Sequence, residues 1–200
     1  ANLNQLVNNT IKKIDAYDIV GAARDIEYFV TEDLSRWYIR RIRDVMKDDT
    51  EEKKETESIL RYILLEISKV VAPFAPFIAE KIYRELGGEK ESVHLEEYPV
   101  GNGQGSSEKE ILEKMSIVRQ YVNFALKLRQ ASNIKVRQPL QLLTIDEKHK
   151  NLGEEYLNLI KEEVNVKEIF FADFGTQLDL NASLGTNITP ELKEEGILRD

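Results

Sequence analysis

Phe29–Arg43 reads F-V-T-E-D-L-S-R-W-Y-I-R-R-I-R, and its spacing predicts a long helix with two faces. Leu34, Trp37, Tyr38 and Val45 fall in step with Ile26, Phe29 and Val30 on an apolar side. Arg36, Arg40 and Arg43 fall at i, i+4 and i+7, with Lys47 four further on, as one basic stripe. The chain as a whole is acidic, with a formal charge of −8. A cationic stripe on an anionic protein is a candidate seat for phosphate, and nucleic acid is the commonest polyphosphate partner. The solvated outer face of a bundle helix accounts for the same spacing.

Apolar periodicity continues on both sides. Leu3, Leu6, Val7, Ile11 and Ile14 predict a first helix, broken at Asp15-Ala-Tyr-Asp18. Asp18 is the expected N-cap of the second helix, which should run to about Lys47. Asp49 and Glu52 have capping-box spacing, so a third helix is expected there, turning Ile59, Tyr62, Ile63, Ile67, Val70 and Val71 inward. Pro73 and Pro76 must kink or end it. A fourth helix is expected to bury Phe77, Ile78, Ile82, Tyr83 and Leu86 before Gly87-Gly88 stops it. Four amphipathic segments in about 90 residues imply an antiparallel bundle.

Val93 to Pro99 reads as extended chain, and G-N-G-Q-G-S-S as a flexible linker. Ser107 and Glu110 then cap a helix reaching about Ala131, with Ile111, Met115, Val118, Val122, Ala125 and Leu126 inward. After Pro139 the texture becomes mixed. L-Q-L-L-T-I and V-K-E-I-F-F-A read as strands around a helix carrying Leu152, Tyr156, Leu159 and Ile160, and Leu178–Leu180 reads as a third strand. Thr189-Pro190 opens a last helix. In Ile134–Leu140, I-K-V-R-Q-P-L, an extended conformation puts Lys135 and Arg137 on one side, either as a phosphate contact or as two solvated charges.

Catalytic equipment is sparse. There is no Cys, which excludes disulfides, thiolate metal sites and thiol chemistry. The two imidazoles, His94 and His149, lie far apart in sequence with no positioned partner evident. Neither a phosphate loop nor a dinucleotide fingerprint is present. No apolar run approaches a membrane span, no signal peptide is visible, and the start at Ala1 rather than Met suggests a piece of a longer chain. Both halves are acidic, −5 for residues 1–100 and −3 for 101–200, so a nucleic-acid site must be local.

Six segments, in order, carry a resemblance: A-Y-D-I-V-G-A-A-R-D-I-E-Y-F-V, E-D-L-S-R-W-Y-I-R-R-I-R, A-P-F-A-P-F-I-A-E-K-I-Y, S-V-H-L-E-E-Y-P, I-K-V-R-Q-P-L and I-T-P-E-L-K-E-E-G. Together they resemble the C-terminal anticodon-binding region of the isoleucyl-tRNA synthetases, a class I family, most closely its archaeal and eukaryotic branch. The proline motif is shared with valyl and leucyl relatives; L-S-R-W-Y-I-R-R and I-K-V-R-Q-P-L point to the isoleucine enzymes. The resemblance implies a mainly α fold: an antiparallel bundle over 1–100, a linker at 101–107, and a connecting helix with a small α/β unit over 108–200.

It also implies binding of the anticodon arm of tRNA(Ile), with Arg36, Trp37, Arg40, Arg43, Lys47, Lys135 and Arg137 as contact residues. Trp37 has two readings, a core anchor or a platform for an unpaired base. No catalytic or metal-binding residue is implied here. ATP, Mg2+ and the ligation chemistry belong to catalytic and editing domains elsewhere in a parent enzyme, expected to be a cytoplasmic monomer without membrane attachment. Many relatives carry Gly where Asn133 stands, and Asn tolerates a left-handed backbone. The rival readings are the corresponding valyl-tRNA synthetase region and a helical protein–protein interaction module.

Overall fold

The structure, a computed structural model, describes residues 2–47, 49–101, 105–175 and 181–198. The chain is mainly α, with a small α/β portion after residue 139, and divides into two compact units, Ala1–Ser106 and Ser107–Asp200.

In the first unit, α1 (Asn2–Asp15) is followed by a turn in which Tyr17 takes a φ of 60°. Asp18 caps α2 (Ile19–Tyr28), its carboxylate accepting from Gly21 N at 2.9 Å. The expected long α-helix does not follow. Phe29–Ile39 adopts the wider π register, a short α3 (Arg40–Ile42) continues it, and Val45–Lys47 is a separate 3-10 turn. The residues flanking each junction keep helical dihedrals, so Ile19–Ile42 is one uninterrupted rod. At the change of register the Thr31 hydroxyl donates to Glu27 O at 2.8 Å, giving that carbonyl a side-chain donor; such back-bonding favours departures from α geometry.

α4 (Glu51–Val71) is capped by Thr50, whose hydroxyl accepts from Lys53 N at 3.2 Å, rather than by Asp49. Pro76 occupies the first turn of α5 (Pro76–Glu85). α5 closes in a Schellman motif: Gly88 N donates to Tyr83 O and Gly87 N to Arg84 O, each at 3.0 Å, with Gly87 at φ 67°. Arg61 of α4 binds the neighbouring carbonyls of Leu86 and Gly87, both at 2.9 Å.

Leu6, Val7, Ile26, Phe29, Leu34, Ile67 and Val70 form the main core of this unit, and Ala72, Ala79, Tyr83 and Val93 form a second cluster. Fully burying a Val, Leu, Ile or Phe side chain contributes about 1.5–3 kcal/mol. Several expected core residues are outside it. Ile59 and Tyr62 of α4 are exposed, and so are Phe77 and Ile78, because α5 turns its Ala79–Tyr83 side inward. Val93–Leu95 is a 3-10 turn rather than extended chain.

In the second unit, α6 (Ser106–Ala131) begins a residue before the expected cap, so Ser106 and Ser107 belong to its first turn. It buries Val118, Tyr121, Val122, Ala125 and Arg129, while Ile111 is exposed. β1 (Leu140–Asp146), α7 (Glu154–Val164) and β2 (Val166–Ala172) follow as expected. The sheet order is β2-β1-β3, with β1 and β2 parallel and β3 (Ala182–Leu184) antiparallel to β1. The strand expected at Leu178–Leu180 lies outside the described residues. α8 (Pro190–Leu198) starts at Thr189, whose hydroxyl accepts from Leu192 N at 3.4 Å. Among the described residues no helix is long and apolar enough to cross a membrane.

Candidate nucleic-acid interface

The π register changes which residues share a face of the Ile19–Ile42 rod. In an α-helix the residue four positions on lies about 40° ahead. In the wider i→i+5 turn it falls behind instead. The α drift of the first part is therefore reversed in the second. Val20, Arg24, Tyr28, Glu32, Arg36 and Arg40, each four apart, stay along one side as a ridge; Glu32 is half-buried and the other five are exposed.

The ridge is partly wired together. Arg36 Nη1 lies 2.6 Å from Glu32 Oε1 and is well exposed, and Arg40 Nε donates to Arg36 O at 3.0 Å. Arg24 makes no ion pair among the described residues. The expected four-residue stripe does not form on one helix, because the rod ends at Ile42. Arg43 is exposed in the turn beyond it, and Lys47, in the separate 3-10 turn, lies 2.6 Å from Asp44 Oδ1. The Lys47 hydrogen bond and charge hold the Asp44 carboxyl below its usual range. Both pairs are solvated, and exposed ion pairs hold their partners weakly, so a phosphate oxygen can compete for either cation.

Trp37 is half-buried rather than a fully buried anchor, and the Arg41 guanidinium carbon lies 6.0 Å from its ring centroid. That is the reach of a cation–π contact and leaves part of the ring on the surface. Arg24 and Tyr28 were missed by reading the basic stripe alone. The signal that finds them is the strict four-residue repeat V-R-Y-E-R-R from Val20 to Arg40, in which Tyr28 interleaves an aromatic among cations.

Lys135 and Arg137 lie in the second unit, so they are described apart from the ridge. Their segment is a turn, not a strand: Gln138 N donates to Lys135 O at 3.1 Å. Asn133, at φ 55°, makes the left-handed step that leads into it. Lys135, Val136 and Arg137 are all exposed, so the turn presents an apolar side chain between two cations.

The imidazoles are not paired with each other. His94 is exposed. His149 Nδ1 lies 2.6 Å from the buried Tyr121 hydroxyl. Burial, then the charge of Lys148, lower the His149 pKa against the opposing pull of Asp146. Burial pushes Tyr121 up to about 12. The two rings also meet edge to face, 5.4 Å apart.

A family model described as the anticodon-binding domain of tRNA ligase matches residues 1–144, which include the ridge, Trp37, Lys135 and Arg137. An isoleucine–tRNA ligase of Porphyromonas gingivalis is 37% identical over 201 residues, covering 98% of this chain and 17% of that protein. One of Protochlamydia amoebophila is 41% identical over 180 residues, covering 85% of this chain and 17% of the relative. One of Methanopyrus kandleri is 34% identical over 175 residues, covering 84% and 16%. The chain thus spans about a sixth of the length of these relatives.

Proposed function

Because the chain belongs to the anticodon-binding domain family of the tRNA ligases, we propose that it is the tRNA-contacting region of an isoleucine–tRNA ligase and binds the anticodon arm of tRNA(Ile). Ligation of isoleucine with ATP and Mg2+ belongs, in this reading, to other parts of a cytoplasmic, monomeric parent enzyme. This region supplies grip and orientation.

The observation that carries the reading is the ridge. On a protein of net charge −8, Arg24, Arg36 and Arg40 share one exposed side of a rod with Tyr28 among them. Cations along one line suit a phosphate backbone, and each contact gains free energy from released counterions. Arg43 and Lys47 extend the cationic surface beyond the rod, and Lys135 and Arg137 supply a second set of phosphate contacts. Tyr28 and the open part of Trp37 suit stacking on unpaired bases, the usual mode for RNA loops.

The test is a titration with tRNA(Ile) and with an unrelated folded RNA of equal length between 50 and 200 mM salt. Tighter binding of tRNA(Ile), with a steep negative salt slope, is expected. No binding of either RNA refutes the reading; equal affinity for both refutes its specificity and leaves only a basic surface.

A further inference from the structure

The Lys135–Gln138 turn carries the side chains of Lys135, Val136 and Arg137 outward and its carbonyls inward, while the Gln138 side-chain amide donates to Leu192 O at 2.6 Å. Arg129, on α6, is only 1% exposed. Its Nη1 donates to Lys135 O at 3.0 Å and to Gln138 O at 2.9 Å, and its Nη2 donates to Asn165 O at 2.8 Å. Asn165 closes the turn from the other side. It ends α7 in the left-handed conformation, φ 55°, and its Nδ2 donates to Val136 O at 2.9 Å and Arg137 O at 3.1 Å. Four successive carbonyls, 135 to 138, thus accept from two side chains rooted on two different helices.

That is more than a chain reversal requires. The turn already has its own bond from Gln138 N to Lys135 O. Burying a guanidinium is costly, and here no carboxylate offsets it: Arg129 makes no ion pair among the described residues, and its Nε has no partner. Burial lowers its pKa to about 10, so it stays charged at neutral pH. A buried charge satisfied only by carbonyl dipoles is a demanding arrangement. What it yields is a peptide segment with four carbonyls tied down and Lys135, Val136 and Arg137 exposed. Fixing groups before binding removes the ordering cost that two mobile cations would incur on meeting a ligand.

We propose that Arg129 and Asn165 are positioning residues that hold the Lys135–Arg137 turn as a rigid, two-cation contact for the phosphates of one RNA strand. This rests on the reading of the chain as a tRNA-binding region. Neither residue touches RNA; both act through the turn.

Asn165→Gly is the cleanest perturbation. Glycine accepts φ 55° without strain, and the backbone carbonyl that Arg129 uses is kept, while the two amide bonds to the turn are lost. Two readouts are needed, both on this chain. Without RNA, hydrogen exchange at the Gln138 amide should accelerate in Asn165→Gly, at least tenfold over the wild type, while amides of β1 stay protected. With tRNA(Ile), Asn165→Gly should bind about tenfold more weakly and show a shallower salt slope. In a Lys135→Ala/Arg137→Ala background the same change should alter affinity by less than twofold. Arg129→Lys keeps the charge but gathers its donors on one nitrogen, where the guanidinium meets the three carbonyls from Nη1 and Nη2, and should weaken binding at least as much as Asn165→Gly while thermal melting shows it folded.

Unchanged Gln138 exchange overturns the holding role, whatever the RNA does. So does a loss of affinity equally large with and without Lys135 and Arg137. Should Lys135→Ala/Arg137→Ala leave binding intact, the turn is no RNA contact and the inference falls. The ridge is then judged separately by Arg36 and Arg40 variants.

Discussion

Glu32→Gln should make this acidic protein bind tRNA(Ile) more tightly, and the structure sets the size of the effect. Glu32 Oε1 holds Arg36 Nη1 at 2.6 Å in the middle of the ridge. A phosphate that takes the same guanidinium would stand roughly 6 Å from the Glu32 carboxylate, where two unit charges in water repel by about 0.7 kcal/mol. At 0.15 M salt the screening length of about 8 Å leaves roughly half of that. Removing the carboxylate charge should therefore tighten binding roughly threefold at low salt and about twofold at 0.15 M salt. Arg36→Ala works in the opposite direction. It removes a charge-assisted contact, about tenfold in affinity, and should lower the salt slope by about 0.7–0.9. Both are read by fluorescence anisotropy with labelled tRNA(Ile) across 50–200 mM salt. Far-ultraviolet circular dichroism should be superimposable for the three proteins, because the exposed pair adds little to folding. If Glu32→Gln binds no more tightly and Arg36→Ala keeps the wild-type slope, the ridge is solvated surface and the electrostatic account of it is wrong.

Three further outcomes probe the framework that carries these residues. Asn133→Gly should stabilise the protein and Asn133→Ala destabilise it by about 1 kcal/mol, in urea unfolding, because its φ of 55° disfavours a Cβ. Tyr83→Phe removes the hydroxyl that donates to Glu96 and accepts from Lys90 N at 2.9 Å; leaving that amide unpaired should cost about 1–3 kcal/mol by the same assay. His149 has a lowered folded-state pKa, so its contribution to stability is present above the unfolded value of about 6.5 and is lost as pH falls through the folded value. Stability should therefore decline on going from pH 7.5 to 5.5, and His149→Gln should flatten that decline.

The parts legible in the sequence were those set by local chemistry. Asp18 capped its helix, α4 ended ahead of Pro73 and Pro76, Gly87-Gly88 closed α5, and Thr189-Pro190 started the last helix, because each outcome depends on atoms a few residues apart. The alternation and branching in Leu140–Asp146 and Val166–Ala172 likewise marked two strands of the α/β unit. Faces were harder. Phe77 and Ile78 lie at helical spacing with Ile82 but are exposed, since which side of a ten-residue helix is covered depends on what packs against it.

The candidate site was legible in composition and not in geometry. Four arginines at 36, 40, 41 and 43 announce a basic surface whatever the helix type. Their alignment depends on residues per turn, and hydrophobic spacing read at 3.6 cannot reveal that Phe29–Ile39 is wound more widely. The π register reverses the drift that a four-residue repeat has in the preceding α-helix, so Arg24 and Tyr28 join Arg36 and Arg40, while Lys47 leaves the row because the rod has ended. Arg129 shows the converse failure. It stands at the next position of the buried series Val118, Val122 and Ala125, where an apolar residue is expected, and it is tolerated only because the carbonyls of a turn six to nine residues onward and of Asn165 meet its donors. A charge in an apolar stripe therefore points to a backbone that needs holding, and here the backbone so held is the one that presents Lys135 and Arg137.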